Sequence, residues 1–204
     1  MNALIWAGSI LALLTYYPLW KQIRSGEAKQ NLLTWALWGI LDAVVAATII
    51  VQGGSFLLPV TYGVGSTITV YFIWKAGSKA AWTWFETMVA TLTIASMVVW
   101  YFSGGKMATI ASTTAMLIAG IPQLTDAWKK PQDMPLLAYS SYFIANCLST
   151  AGGKSWAIEE RFYPASAAIF CFLSALLATR KYLPRSAMAV VVGKSSSTGF
   201  FESR

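Results

Sequence analysis

The chain has 204 residues, 56% of them hydrophobic and 14% aromatic, with a mean hydropathy of +0.56. Charged residues make up only 11%, against about 25% in an ordinary soluble domain, so the charges must sit in short connections between long apolar segments. Two cysteines in apolar runs exclude a disulfide scaffold, the absence of histidine excludes the usual triads and zinc sites, and the net charge of +7 reads as membrane orientation, not nucleic-acid binding.

A hydrocarbon core about 30 Å thick takes roughly 20 mostly apolar residues per helix. In chain order such runs fall at about 2–20, 32–52, 56–74, 85–103, 107–127, 136–153 and 159–180. Glycine-rich breaks such as Gly53-Gly54-Ser55 and Gly104-Gly105-Lys106 separate them. The sixth run is interrupted by Asn146, Ser149 and Gly152 to Lys154. The first has no basic residue before it, so it lacks the start of a signal peptide and is expected to be retained. Residues 183–204 change character to a Ser/Gly-rich tail, Gly193-Lys194-Ser195-Ser196-Ser197, which needs a partner subunit or a second copy to order it.

With seven spans the termini lie on opposite sides. Lys21, Arg24, Lys29, Lys75, Lys79, Lys129, Lys130, Arg180, Lys181, Arg185, Lys194 and Arg204 then share the C-terminal side, leaving Lys106, Lys154 and Arg161 on the other. That asymmetry predicts a cytoplasmic C-terminus, an outside N-terminus and residence in a bacterial inner membrane.

Sliding the chain by 104 residues pairs Pro18 with Pro122, Leu32 with Leu136, Trp35 with Tyr139, Trp38 with Tyr142 and Asp42 with Asn146. One inserted residue later, an offset of 105 pairs Pro59 with Pro164 and Lys75 with Arg180. Three helices end on the far side of a membrane, so one further helix is needed before a second triple can repeat the first. The expected organisation is therefore a first triple-helix bundle (1–75), a connector and linker helix (76–106), a second triple (107–182) and a cytoplasmic tail (183–204). This is an all-α, seven-helix, 3+1+3 parallel repeat, of a kind used for transport. The fourth span, with Thr87, Thr91, Thr93 and Ser96 but no deep charge, is its linker.

The segment Pro18-Leu19-Trp20-Lys21-Gln22 leading into Leu32-Leu33-Thr34-Trp35, and its counterpart Ile121-Pro122-Gln123-Leu124 leading into Leu136-Leu137-Ala138-Tyr139, resemble the paired motifs of the PQ-loop family, relatives of the SWEET sugar transporters. The resemblance covers roughly residues 1–182. Only the second copy carries the literal Pro-Gln pair, and the later prolines fall in the third helix of each triple, not the second. It implies a solute carrier, and with it proton coupling.

Asp42 lies ten residues into the second span, where a carboxylate costs about 2.5–3.5 kcal/mol on insertion scales. At 100° per residue Trp35, Trp38 and Asp42 share a face, and Tyr139, Tyr142 and Asn146 repeat the stripe. Such stripes suit a pocket for a small polar solute (a sugar, an amino acid or similar), although Trp35 and Tyr139 could equally form an interfacial belt and Asp42 could bond a neighbouring helix. Tyr62, Ser66 and Thr69 add a polar stripe that either joins the pocket or bonds its own backbone. Pro18 and Pro122, with Gln123, are expected at a cytoplasmic hinge or gate, and Pro59 and Pro164 at an outer one; ordinary helix ends are the alternative. Glu159, Glu160 and Arg161 read as solvated charges at a helix start.

No lysine lies in the last span to carry a retinal Schiff base, and one isolated carboxylate is too little for hydrolysis. The chain is expected to be a carrier working by alternating access, not an enzyme, with no cofactor or metal. Its partners would be the lipid bilayer, its solute, and a further copy or membrane-complex subunit at the tail. The alternative is a non-transporting structural or adaptor subunit of a larger membrane complex.

Overall fold

The computed structural model describes residues 2–77 and 82–182. The tail and its expected partner, together with Lys79, lie outside the described residues. Among those residues the protein is all-helical. The helices are α1 (Ala3–Ser25), α2 (Leu32–Val51), α3 (Leu57–Lys75), α4 (Trp84–Ala119), α5 (Ile121–Lys129), α6 (Leu136–Gly152) and α7 (Ile158–Ala178). Short 3-10 turns follow α5 and α7, at Pro131–Asp133 and Thr179–Tyr182.

Local signals set the helix ends. Asn2 and Asn31 cap α1 and α2 by accepting the amides of Leu4 and Thr34, which satisfies donors that the first turn leaves free. At α4 the Thr83 side chain accepts the Phe85 amide while Glu86 accepts the Thr83 amide at 2.8 Å, a capping box. Gly26 closes α1 in the left-handed region at φ 78.

One expected boundary holds and another is displaced. At Gly104-Gly105-Lys106 the helical backbone is interrupted, Gly104 taking φ 77 and ψ 178, so α4 is two helical arms that meet at a kink where the glycine pair predicts a break. That backbone is open to glycine and strained for side-chain-bearing residues. The fifth run is also cut at its far end, where α4 stops at Ala119 and α5 begins at Ile121 with Pro122 in its first turn. Five helices are long and apolar enough to cross a membrane, taking the bent α4 and the α5 that continues it as one; α6, at 17 residues, falls just short of that length. Large apolar side chains face outward on every long helix, among them Leu14, Tyr17, Val51, Trp74, Ile94 and Ile169, a surface suited to lipid and not to water.

The packing order is regular. α3 lies against both α1 and α2, and α7 against α6, α4 and α5. Across these groups α1 packs on α6 and α2 on α4. The α1–α6 contact is backbone-close: a Cβ on Gly8 would stand 2.5 Å from the Ala145 carbonyl oxygen. Thr48 and Thr109, 3.0 Å apart through their hydroxyls, and Gln52, which donates to Thr109, tie α2 to the second arm of α4.

Two close approaches carry the same design with the roles exchanged. A Cβ on Gly65 of α3 would stand 2.1 Å from the Tyr16 ring of α1, and one on Gly120 would stand 2.3 Å from the Phe170 ring of α7. Tyr16 and Gly120 are 104 residues apart, Gly65 and Phe170 are 105 apart: these are the repeat offsets. Each half fills the same space with one aromatic ring, supplied from opposite sides. Adding a methyl group to so filled a core costs typically about 1–3 kcal/mol. Gly65→Ala should therefore lower the thermal midpoint of the detergent-purified chain. Combined with Tyr16→Leu, it should cost clearly less than the two single changes added together; strict additivity in the melts would contradict the contact.

Candidate functional site

The helix interfaces meet at a buried cavity of about 60 Å³, room for a few water molecules or a very small solute. Its wall takes Tyr16 from α1, Trp35, Trp38 and Asp42 from α2, and Tyr62 and Ser66 from α3. The other half supplies Met116 from α4, Tyr139 and Tyr142 from α6, and Tyr163, Ala167, Phe170 and Cys171 from α7. Each of these side chains is buried. Trp35 and Tyr139, and Trp38 and Tyr142, are 104 residues apart, while Tyr62 and Ala167, and Ser66 and Cys171, are 105 apart, the offsets of the sequence self-comparison.

Trp35 and Tyr139 are each 3% exposed, which places them in this wall and not in an interfacial belt. Their rings pack edge-on with those of Trp38 and Tyr142, at centroid distances of 5.2 and 6.4 Å. The Trp38 indole is fixed by donating to the Met116 carbonyl at 3.1 Å. Of the polar stripe on α3, Tyr62 and Ser66 join the wall. Thr69 instead donates to the Gly65 carbonyl of its own helix at 2.7 Å and accepts the Trp20 indole N–H at 2.8 Å.

Asp42 both lines the cavity and bonds a neighbouring helix. The Tyr163 hydroxyl of α7 donates to its Oδ1 at 2.7 Å, and no lysine or arginine stands in the wall. Asn146 is fully buried behind the wall. Its Nδ2 donates to the Tyr62 hydroxyl of α3 at 2.6 Å and to the Tyr142 carbonyl at 2.8 Å, while its Oδ1 has no partner. The two bonds are alike in form: α2 presents Asp42 to Tyr163 of α7, and α6 presents Asn146 to Tyr62 of α3. Three further buried acceptors or hydroxyls near the site lack partners: Tyr139 Oη, Tyr142 Oη and, lower on α7, Ser174 Oγ.

Outside the cavity wall, two further hydrogen-bonded groups join the helices, and the sequence did not single out the members of either together. In the first, Gln30 Oε1 accepts the Trp35 indole at 3.1 Å and the Gln123 amide at 3.2 Å, and Gln123 also reaches Met134 Sδ at 3.4 Å. Gln123 is thus a cross-half contact. In the second, Ser55 Oγ donates to Glu160 Oε2 at 2.7 Å, and the Lys154 amide adds a second bond to the same oxygen at 3.2 Å. Glu160 is not a solvated charge: it is 6% exposed, because the loop before α7 folds over it. Arg161 lies over the Trp156 ring and donates to the Gly153 and Ser155 carbonyls.

The prolines differ from one another. Pro18 and Pro164 stand inside continuous helices and leave the Leu14 and Glu160 carbonyls without the usual amide. Pro122 and Pro59 stand in the first turn of α5 and α3, where no helical bond is lost. Pro164 adjoins Tyr163, and Pro122 follows the break between α4 and α5 and adjoins Gln123. Among the described residues no group of three Cys, Asp or Glu side chains could hold a metal ion.

Tyr16, Tyr163 and Phe170 were missed because the residues at the offset positions, Gly120, Leu58 and Gly65, are unlike them, and Cys171 was missed although Ser66 stands at its offset position. Shape complementarity between offset positions, not similarity, was the signal that could have found Tyr16 and Phe170.

Cys171 is buried, so a thiol reagent reaches it only when the helices part. Breaking a buried bond to a charged group costs about 1.5–3 kcal/mol, or about ten- to a hundredfold in an equilibrium it biases. In a Cys147→Ser background, Glu160→Gln should raise the labelling rate of Cys171 by roughly that factor. An unchanged rate, measured by mass spectrometry, would show that the Ser55–Glu160 bond does not resist that opening. No family model, curated protein or solved structure matches this chain, so its function rests on its own geometry.

Proposed function

We propose that the protein is a seven-span carrier of PQ-loop and SWEET-like organisation in a bacterial inner membrane. It would move a small polar solute between its two halves by alternating access. In this reading α1–α3 form the first triple and the first arm of α4 is the linker. The second arm of α4 with α5, α6 and α7 forms the second triple, and the C-terminus is cytoplasmic. The observation that carries it is the cavity itself: buried, walled from corresponding positions of both halves, and holding one carboxylate with a single hydrogen-bond donor and no cation beside it. A carboxylate kept at that depth is costly and seldom retained for packing alone.

Several observations support the arrangement. The third helix is central in both groups, and the contacts between groups run first-to-second helix on both sides. Ser55 and Glu160, which bond each other, are 105 residues apart. In this reading corresponding positions would touch at the axis relating the two halves, and the Ser55–Glu160 contact supports such an axis. Substrate and coupling would meet at Asp42, which a proton neutralises when the site is empty, with Tyr163 donating to the charged form. The buried cavity fits an occluded state, and Pro18, Pro164 and the break at Gly120 are the points where α1, α7 and the α4–α5 arm can bend. No catalysis is assigned to the site.

Uptake into proteoliposomes, screened over sugars, amino acids, amines and nucleosides with and without a pH gradient, tests this directly. The wild type should accumulate one class in a gradient-dependent way. Asp42→Asn, which keeps the shape, should cut uptake at least about tenfold and remove the dependence on the gradient. Uptake with unaltered pH response in Asp42→Asn would remove the coupling role, and no uptake of any class would leave the adaptor reading in its place.

A further inference from the structure

We propose that the cavity takes a small organic cation, a primary or secondary alkylammonium, held between the Asp42 carboxylate and the surrounding aromatic faces. The inference deepens the carrier reading and rests on its site, but binding can be measured without transport.

Charge is the first argument. Asp42 accepts one hydrogen bond, from Tyr163, and among the residues lining the cavity it is the only one with an ordinarily charged side chain. An anion entering here would meet a carboxylate with nothing to offset the repulsion. A neutral polyol would leave the buried charge uncompensated. A cation neutralises it.

Hydrogen-bond capacity is the second, and it is independent of charge. Asn146 has already spent its Nδ2 on Tyr62 and on the Tyr142 carbonyl, so what it has left is the unpartnered Oδ1, an acceptor. The Asp42 carboxylate only accepts when ionised. The Tyr139 and Tyr142 hydroxyls are also unpartnered and can accept. The acceptor-only groups, the ionised Asp42 carboxylate in the wall and Asn146 Oδ1 behind it, therefore call for donors, while the two hydroxyls can serve either way. An ammonium group carries up to three N–H donors and no acceptor, whereas a sugar hydroxyl brings an acceptor with each donor.

The third argument is the wall. The Trp35–Trp38 and Trp38–Phe170 pairs meet edge to face, at 79° and 83°, so their rings do not all turn the same way, and both faces and edges border the space. A cation within about 6 Å of a ring face is attracted by its quadrupole, the more so when water is excluded. A volume of about 60 Å³ limits the guest to a short alkyl chain.

The test is equilibrium binding of radiolabelled methylammonium to the purified full-length chain by scintillation proximity. Unlabelled ethylammonium, ethanol and acetate serve as competitors, matched in size and differing in charge. Saturable binding is expected, competed by ethylammonium and at least about tenfold less by ethanol or acetate. Asp42→Asn should weaken it by at least about tenfold, and Asn146→Leu by a smaller factor, with circular dichroism and thermal melts verifying that each variant is folded. Should Asp42→Asn not fold, Asp42→Glu with Asn146→Leu carries the comparison. Absence of saturable binding, competition by ethanol or acetate equal to ethylammonium, or undiminished binding in folded variants would overturn the inference. Binding as expected, with no uptake of methylammonium into vesicles, would instead overturn the carrier reading and leave the site intact.

Discussion

The hydrogen bond from Tyr163 to Asp42 is the interaction on which the interior depends. It crosses from the last long helix to the second, and it gives the Asp42 carboxyl its one protein partner. A carboxylate that deep cannot turn to water, so the rings around it have to be placed with care, and most of their polar atoms are spoken for. Trp38 is tied to a backbone carbonyl, Trp35 to Gln30 and Tyr62 to Asn146. What remains unmet is a small set of polar atoms, of which Asn146 Oδ1 can only accept and the tyrosine hydroxyls can do either. The interior is thus a rigid aromatic frame around an electrostatic deficit, and a guest that supplies positive charge and N–H groups fits it better than one that supplies shape alone.

Rigidity of the frame comes from close packing more than from polar bonds. Helix approaches at Gly8, Gly65 and Gly120 bring backbone against a neighbouring ring or carbonyl. Small residues at such interfaces are how apolar helices associate where water supplies no drive. The two hydrogen-bonded groups beyond the wall differ in kind. The glutamine cluster is neutral and shares one acceptor between two donors. The Ser55–Glu160 bond includes a carboxylate that the loop before α7 covers. Interactions of such unequal character give the two groups different sensitivities to their surroundings.

Much of the architecture was legible in the sequence because the signals are long and redundant. Twenty-residue apolar runs fix where helices lie, and Asp42, isolated in one of them, marks the interior face. The aromatic stripe through Trp35 and Trp38 followed from helical periodicity alone, and the cavity wall contains it. Other features were hidden for physical reasons. The glycine pair marks the kink at Gly104, but the further stop at Ala119 lies inside an unbroken apolar run and carried no such signal. Glu160 looked solvated because charge at a helix start usually is, and only the fold of the preceding loop reveals Ser55 and the Lys154 amide converging on it. Tyr163 carried no periodic signal at all, since its partner is 121 residues away.

The unlike pair at Asp42 and Asn146 has a consequence for how such a protein can be assembled. Under the proposed arrangement, a symmetric dimer of identical halves would bring either two acids or none to the centre. Two would repel across a small, low-dielectric space, and none would leave nothing to attract charge. A single covalent chain escapes that parity: one half keeps the acid, the other keeps an amide of the same outline. An odd formal charge at the heart of a twofold design is therefore available only to a protein whose halves have been joined and allowed to diverge.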